Sequence, residues 1–232
     1  MNFEIIYEDE DVLVCYKPSG VPTQTSKLGQ QDMQSLLKNY LYKKQEIKKE
    51  PYIAVIHRLD QPVEGLLVFG KNPDAARELS KSMQKSDFGK YYKAVLCGIP
   101  KEDSAELVDY LVKDGKTNTS RIADKNEKDA KRAVLFYEIV GSTTEGGQQK
   151  SLVKIKLGTG RHHQIRVQMA NMGCPIWGDT KYGNIQMQEK SWRTIALCAY
   201  RLEIEHPRTK IKMQFEIEAR GEGFQSIGPF ER

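Results

Sequence analysis

Between two apolar runs lies His57-Arg58-Leu59-Asp60-Gln61-Pro62-Val63-Glu64-Gly65, which sets a basic pair, a carboxylate, a proline and a glycine close together. A carboxylate next to an arginine at a strand end can act as base, acid or nucleophile. Loops held by a rigid scaffold are where such groups collect. A structural Arg58–Asp60 ion pair fits the same residues, and spacing alone leaves both readings open. A second cluster, Arg161, His162, His163 and Arg166, follows Gly158-Thr159-Gly160. Basic residues at the start of a helix oppose its dipole, which points to an anionic partner. His162 and His163 with Asp60 or Asp179 also raise a metal site of the kind found in metal-dependent nucleases. Neighbouring helical residues point in different directions, which argues against it.

These residues need elements to hold them. The runs ending in Ile56 and spanning Leu66 to Phe69 read as buried strands, with Pro62 and Gly65 shaping a tight loop that holds Asp60 at the lip of a sheet. Phe3–Tyr7 and Val12–Tyr16 read as a hairpin, and Lys17-Pro18-Ser19-Gly20 as a rigid turn whose lysine is solvated. Asp32 caps a helix over about 33–48 with Leu36, Leu37, Tyr40 and Leu41 on one face, its lysines forming a solvated face. Asn72-Pro73 starts a helix to about Gln84 that buries Ala76, Leu79 and Met83. Strands follow at 89–98, 107–112, 133–140 and 152–157, with 141–149 a flexible loop and 104–129 a peripheral hairpin or insertion. A short helix after Gly160 turns Ile165, Met169 and Met172 inward and ends at Gly173. The last pair of strands, 195–204 and 211–218, flanks a turn at His206-Pro207. Many strands and three modest helices make an α+β fold, mostly antiparallel, in one domain over 1–232.

The chain has 232 residues, with 36 Lys+Arg against 31 Asp+Glu, a net charge of +5. That length suffices to bury about 70% of the unfolded surface. The mild positive charge is compatible with a nucleic-acid partner without demanding one. Cys15, Cys97, Cys174 and Cys198 are scattered and form no CxxC pair, so neither a zinc site nor a disulfide framework is expected. No signal-peptide pattern opens the chain, and no apolar stretch reaches the ~20 residues a membrane helix needs. The expectation is a soluble cytoplasmic protein with no membrane partner.

Taken together, the motifs resemble those of the RluA family of RNA pseudouridine synthases. The HRLD loop and its Gly-Leu-Leu strand correspond to His57-Arg58-Leu59-Asp60 and Gly65-Leu66-Leu67. Lys90-Tyr91-Tyr92-Lys93-Ala94, Thr159-Gly160-Arg161-His162-His163-Gln164-Ile165-Arg166 and Pro175-Ile176-Trp177-Gly178-Asp179-Thr180-Lys181-Tyr182-Gly183 match three further family strings in order, and Lys17-Pro18-Ser19-Gly20 and His206-Pro207 fit too. Any one string is weak; their order over residues 4–218 is specific.

The resemblance implies a mixed sheet with flanking helices and hairpins, and isomerisation of uridine in RNA to pseudouridine without metal or cofactor. It makes Asp60 the essential aspartate, Tyr92 the tyrosine that packs on the target base, and Arg166 the basic partner of the aspartate. Arg58 helps fill the space left by the flipped base, and His57, Arg161, His163 and Gln164 join it as substrate-binding residues. Two departures stand out: Val63-Glu64 where many relatives carry Thr-Ser, and Gln168 where histidine is frequent. The expectation is a chain that opens at the catalytic domain, without a separate N-terminal RNA-binding domain. The expected substrate is therefore a stem-loop in ribosomal or transfer RNA, bound by a monomer. A non-catalytic RNA-binding module is the alternative. It is expected to lack the aspartate, tyrosine or arginine, and all three are present.

Overall fold

A computed structural model describes residues 3–25, 27, 29–44, 49–85, 88–183 and 195–225. The elements run β1 (Glu4–Glu8), β2 (Val12–Lys17), α1 (Met33–Lys44), β3 (Ala54–Val55), β4 (Glu64–Gly70) and α2 (Pro73–Gln84). Next come β5 (Gly89–Cys97), β6 (Ser104–Asp114), β7 (Thr119–Ile122), β8 (Lys131–Glu145) and β9 (Gln148–Leu157). Then follow α3 (Gln164–Asn171), β10 (Leu197–Glu205), β11 (Lys212–Glu216) and a short α4 (Glu222–Gln225). No described helix is long and apolar enough to cross a membrane.

The chain forms two compact units, Met1–Lys90 with Ala199–Glu218, and Tyr91–Cys198 with Ala219–Arg232. In the first, the strand order is β1-β2-β4-β10, with β3 on β4 and β11 on β10. β2 and β4 are buried along their whole lengths, as their near-continuous apolar sequences require. Gly65 is irreplaceable there. Its φ is +128°, and a Cβ would lie 2.5 Å from the backbone N and O of Ala199. Asn72 caps α2 by accepting from Ala75 N–H at 2.8 Å, with Pro73 in the first turn. The buried positions of α2 are Ala75 and Leu79, so its face is rotated slightly from the one expected. On α1, Asp32 accepts from Ser35 N–H at 2.8 Å, and Met33, Leu37 and Leu41 are buried. The expected extension of α1 over 45–48 lies outside the described residues.

In the second unit the order is β5-β9-β8-β6-β7, with antiparallel registers throughout. The expected flexible loop at 141–149 is instead strand. Ser142, Thr143 and Thr144 pair with Ser151, Lys150 and Gln149, and the chain reverses only at Gly146-Gly147, with φ +56° and +78°. Two consecutive positive-φ residues make the tight turn that suits a hairpin's twist, so polar β-branched residues there extend the ladder. Leu111, Ala133 and Val167 form a small core that anchors α3 to this sheet. The expectation of an α+β fold holds.

Candidate active site

In the first unit, Asp60 sits half-buried in the turn that leads into β4, with Val63 N–H donating to Asp60 O at 3.0 Å. This turn is held chiefly through its carbonyls. Thr23 Oγ1 donates to Leu59 O at 3.0 Å and accepts from Leu59 N–H at 3.1 Å. Ser19 Oγ donates to Pro62 O at 2.7 Å, and Gly20 N–H to Gln61 O at 2.9 Å. Lys17, expected to be solvated, is fully buried; its Nζ donates to the carbonyls of Pro18, Val21 and Gln61 at 3.0, 2.7 and 3.2 Å. The proline turn folds over the lysine instead of presenting it, because the three carbonyls need its three donors. Burial pushes the Lys17 amine down to about 7, against the opposing pull of Asp60 and then Glu64.

Arg58 is exposed on the same turn. His57 turns inward instead: Nε2 accepts from Val68 N–H at 3.3 Å, and the ring meets Phe88 edge-on at 5.4 Å. Burial, with the charge of Lys90, pushes its pKa down to about 3, so the ring is neutral at physiological pH. Its Nδ1 has no hydrogen-bond partner among the described residues.

In the second unit, Tyr92 is buried on β5 opposite Ile155. Arg166, in the first turn of α3, is 4% exposed and forks onto Asp179, with Nε to Oδ2 at 2.7 Å and Nη2 to Oδ1 at 2.6 Å. The guanidinium also lies over the Tyr182 ring at 5.2 Å. Tyr182 OH accepts from Ser120 N–H of β7 and bonds His163 Nδ1, both at 2.7 Å. His162 Nδ1 bonds Ser120 Oγ at 2.9 Å. The two imidazoles do not diverge as expected. They stack at 3.8 Å, because α3 begins only at Gln164 and His163 takes a left-handed φ of +54°. Gln164 is buried; its Oε1 accepts from Thr159 Oγ1 and Arg161 N–H, and its Nε2 donates to Val134 O and Gln168 Oε1. All four hydrogen-bonding positions of that amide are used within the protein. Arg161 is exposed, with Nε donating to Arg132 O at 2.9 Å.

The structure thus gathers His57, Arg58 and Asp60 on one turn, and Arg161, His163, Gln164 and Arg166 at the head of one helix. Sequence reasoning missed Lys17, Thr23, Asp179 and Tyr182. Lys17, Asp179 and Tyr182 lie inside the family motifs, but nothing in a motif shows which residues hold the others.

A mostly antiparallel α+β fold with an aspartate turn and an arginine-bearing short helix defines a class, and the sequence places the chain within it. Residues 11–171, more than half of the chain, match the family described as RNA pseudouridylate synthase. A ribosomal large subunit pseudouridine synthase D of Pseudomonas aeruginosa is 31% identical over 93% of this chain and 68% of its own length. A tRNA pseudouridine synthase C of Haemophilus ducreyi is 31% identical over 92% of this chain and 89% of its own. A ribosomal large subunit pseudouridine synthase C of Rickettsia bellii is 32% identical, and the chain spans 59% of it. Among solved structures, human RNA pseudouridylate synthase domain containing 1 superposes with TM-score 0.78 at 23% identity, covering 94% of this chain and 84% of that one, a likeness of fold. The chain belongs to the RNA pseudouridylate synthase family, isomerases that convert uridine in RNA to pseudouridine.

Proposed function

We propose that this chain isomerises uridine within a stem-loop of ribosomal or transfer RNA, with Asp60 acting on the sugar or the base. The observation that carries the reading is the Asp60 turn, whose backbone is fixed by Lys17, Ser19, Gly20 and Thr23 while Asp60 keeps partial exposure. In the reaction the N1–C1′ bond breaks, C5 bonds to C1′, and the hydrogen on C5 leaves as N1 gains one. A carboxylate serves as nucleophile at C1′ or as base at the neighbouring carbon. Tyr92 is proposed to pack on the flipped base, offsetting the few kcal/mol that unstacking costs. Arg166 is proposed as the basic partner of Asp60, with Asp179 fixing its orientation. The exposed guanidiniums of Arg58 and Arg161 are the residues suited to phosphate contact. His57 and Gln164, bonded inward, are proposed to position the loops rather than to touch RNA. The enzyme acts as one catalytic domain and as a cytoplasmic monomer, and needs neither metal nor cofactor.

The test uses ribosomal and transfer RNA pools tritiated at C5 of uridine, with chelator present. Release by the unmodified protein and none by Asp60→Asn, which still binds RNA, is the expected result. Equal release by both proteins overturns the role of Asp60, and no release from either pool by the unmodified protein overturns the substrate class.

A further inference from the structure

The isomerisation chemistry assigns nothing to Tyr182, yet this residue meets the surroundings of Arg166 through three different groups. Its ring lies under the Arg166 guanidinium at 5.2 Å, near enough for a cation–π contact. Its backbone N–H donates to Asp179 Oδ1 at 3.2 Å, the same oxygen that receives Arg166 Nη2 at 2.6 Å. Its hydroxyl reaches away from the turn, accepting from Ser120 N–H of β7 and bonding His163 Nδ1 just ahead of α3, both at 2.7 Å.

Asp179 can hold Arg166 no more firmly than it is held itself. Its Oδ1 accepts the N–H groups of Lys181 and Tyr182, and Gly183 N–H donates to Asp179 O at 2.9 Å, so the carboxylate belongs to its own turn. A bidentate pair fixes a guanidinium relative to its partner and leaves the pair free to move together. The turn must therefore be fastened to something outside it. Tyr182 does this twice: the ring packs on the core of Leu111, Ala133 and Val167, and the hydroxyl binds β7. Ser120 is 5% exposed, so its N–H, stripped of water, has the phenol oxygen as acceptor. Lys181 Nζ adds a link to Asn118 O at 2.8 Å, but an exposed one, where water competes. We propose that Tyr182 is a positioning residue for the isomerisation, its hydroxyl anchoring the Asp179 turn to β7 and so setting the angle at which Arg166 stands. This inference rests on Arg166 serving the reaction.

Tyr182→Phe tests this, because it removes the oxygen alone and leaves the ring, its packing and the backbone N–H in place. Tritium release should fall about tenfold in kcat with KM for RNA within about twofold, since the guanidinium is misplaced while the binding surface is kept. Ser120→Ala keeps the N–H that Tyr182 accepts and loses only the Oγ bond to His162, so its kcat should stay within about twofold of the unmodified protein. A merely structural role would lower Tm but leave the folded molecules fully active and Arg166 unmoved. The Arg166 Nε–H resonance in ¹⁵N spectra, assigned by its loss in Arg166→Lys, separates the two. It should shift in Tyr182→Phe and hold its place in Ser120→Ala. An unchanged kcat in Tyr182→Phe, an equal fall in Ser120→Ala, or an unmoved Nε–H resonance overturns the proposal. If the unmodified protein releases no tritium, the reading of the reaction and the positioning role fall together, and the resonance decides only whether the anchor exists.

Discussion

The Asp60 turn and the head of α3 are built by opposite means. The turn is held by many weak links to main-chain oxygens: Thr23 to Leu59, Lys17 and Gly20 to Gln61, Ser19 to Pro62. The helix head has backbone ties of its own through Gln164, but its strongest links join side chains far apart in sequence. Arg166 forks onto Asp179, and Tyr182 joins His163 to the backbone of Ser120. Shared loading tolerates the loss of one contact, whereas a buried ion pair does not. The two regions should therefore fail differently.

The sharpest test is Asp179→Asn. It keeps an oxygen for the backbone N–H groups of Lys181 and Tyr182, which Asp179 Oδ1 now accepts, and removes only the charge. Arg166, at 4% exposure, is then a buried cation without its bidentate partner. The expected cost is about 3–5 kcal/mol, or a fall in Tm of about 10 °C for a protein of this size. Calorimetry checks it. A change of only 1–2 °C would show that the helix head, too, is held by distributed contacts.

A pH test separates the regions next. His57 in the first unit has a folded-state pKa pushed to about 3 by burial and the charge of Lys90, against about 6.5 in the unfolded chain. The folded value is the lower one, so between those pH values the unfolded state binds the extra proton. Stability contributed by the neutral ring is complete above pH 6.5 and drains as pH falls toward 3. The slope approaches about 1.4 kcal/mol per pH unit at its steepest. His57→Gln should flatten acid unfolding between pH 6 and 4, measured by urea melts. An unchanged slope would remove His57 as the acid-sensitive element.

The same contrast explains what could be read in the sequence. The Asn72-Pro73 start of α2 was legible because a cap acts over three residues. The turn around Asp60 was legible because Pro62 fixes its own φ and Gly65 admits a backbone angle that other residues avoid. Lys17, expected to be solvated, is buried because it donates to the carbonyls of Pro18, Val21 and Gln61, and a main-chain carbonyl leaves no sign in residue type. Asp179 is given a role in the sequence reading only as a possible metal ligand, because its actual partner, Arg166, stands 13 positions away. The 141–149 segment was misread because polar strand and polar loop differ only in pairing, and the pairing is supplied by β9. Local conformation leaves a trace in composition; side-chain partnership across a fold does not.

Ser19→Ala probes the smallest effect and puts distributed support to its severest trial. Ser19 Oγ donates to Pro62 O at 2.7 Å, two residues from Asp60, and neither residue is fully buried. Water can replace the hydroxyl at that carbonyl, so the loss should be about 1 kcal/mol, within the usual net worth of one hydrogen bond. Lys17, Gly20 and Thr23 still hold the neighbouring Gln61 and Leu59. Tritium release should then fall no more than about threefold, in kcat rather than KM, since a turn with its other ties intact shifts little. A loss of a hundredfold with stability unchanged would mean that this single hydroxyl sets the angle at which Asp60 meets the sugar. The turn would then resemble the helix head, with one contact carrying what four were taken to share.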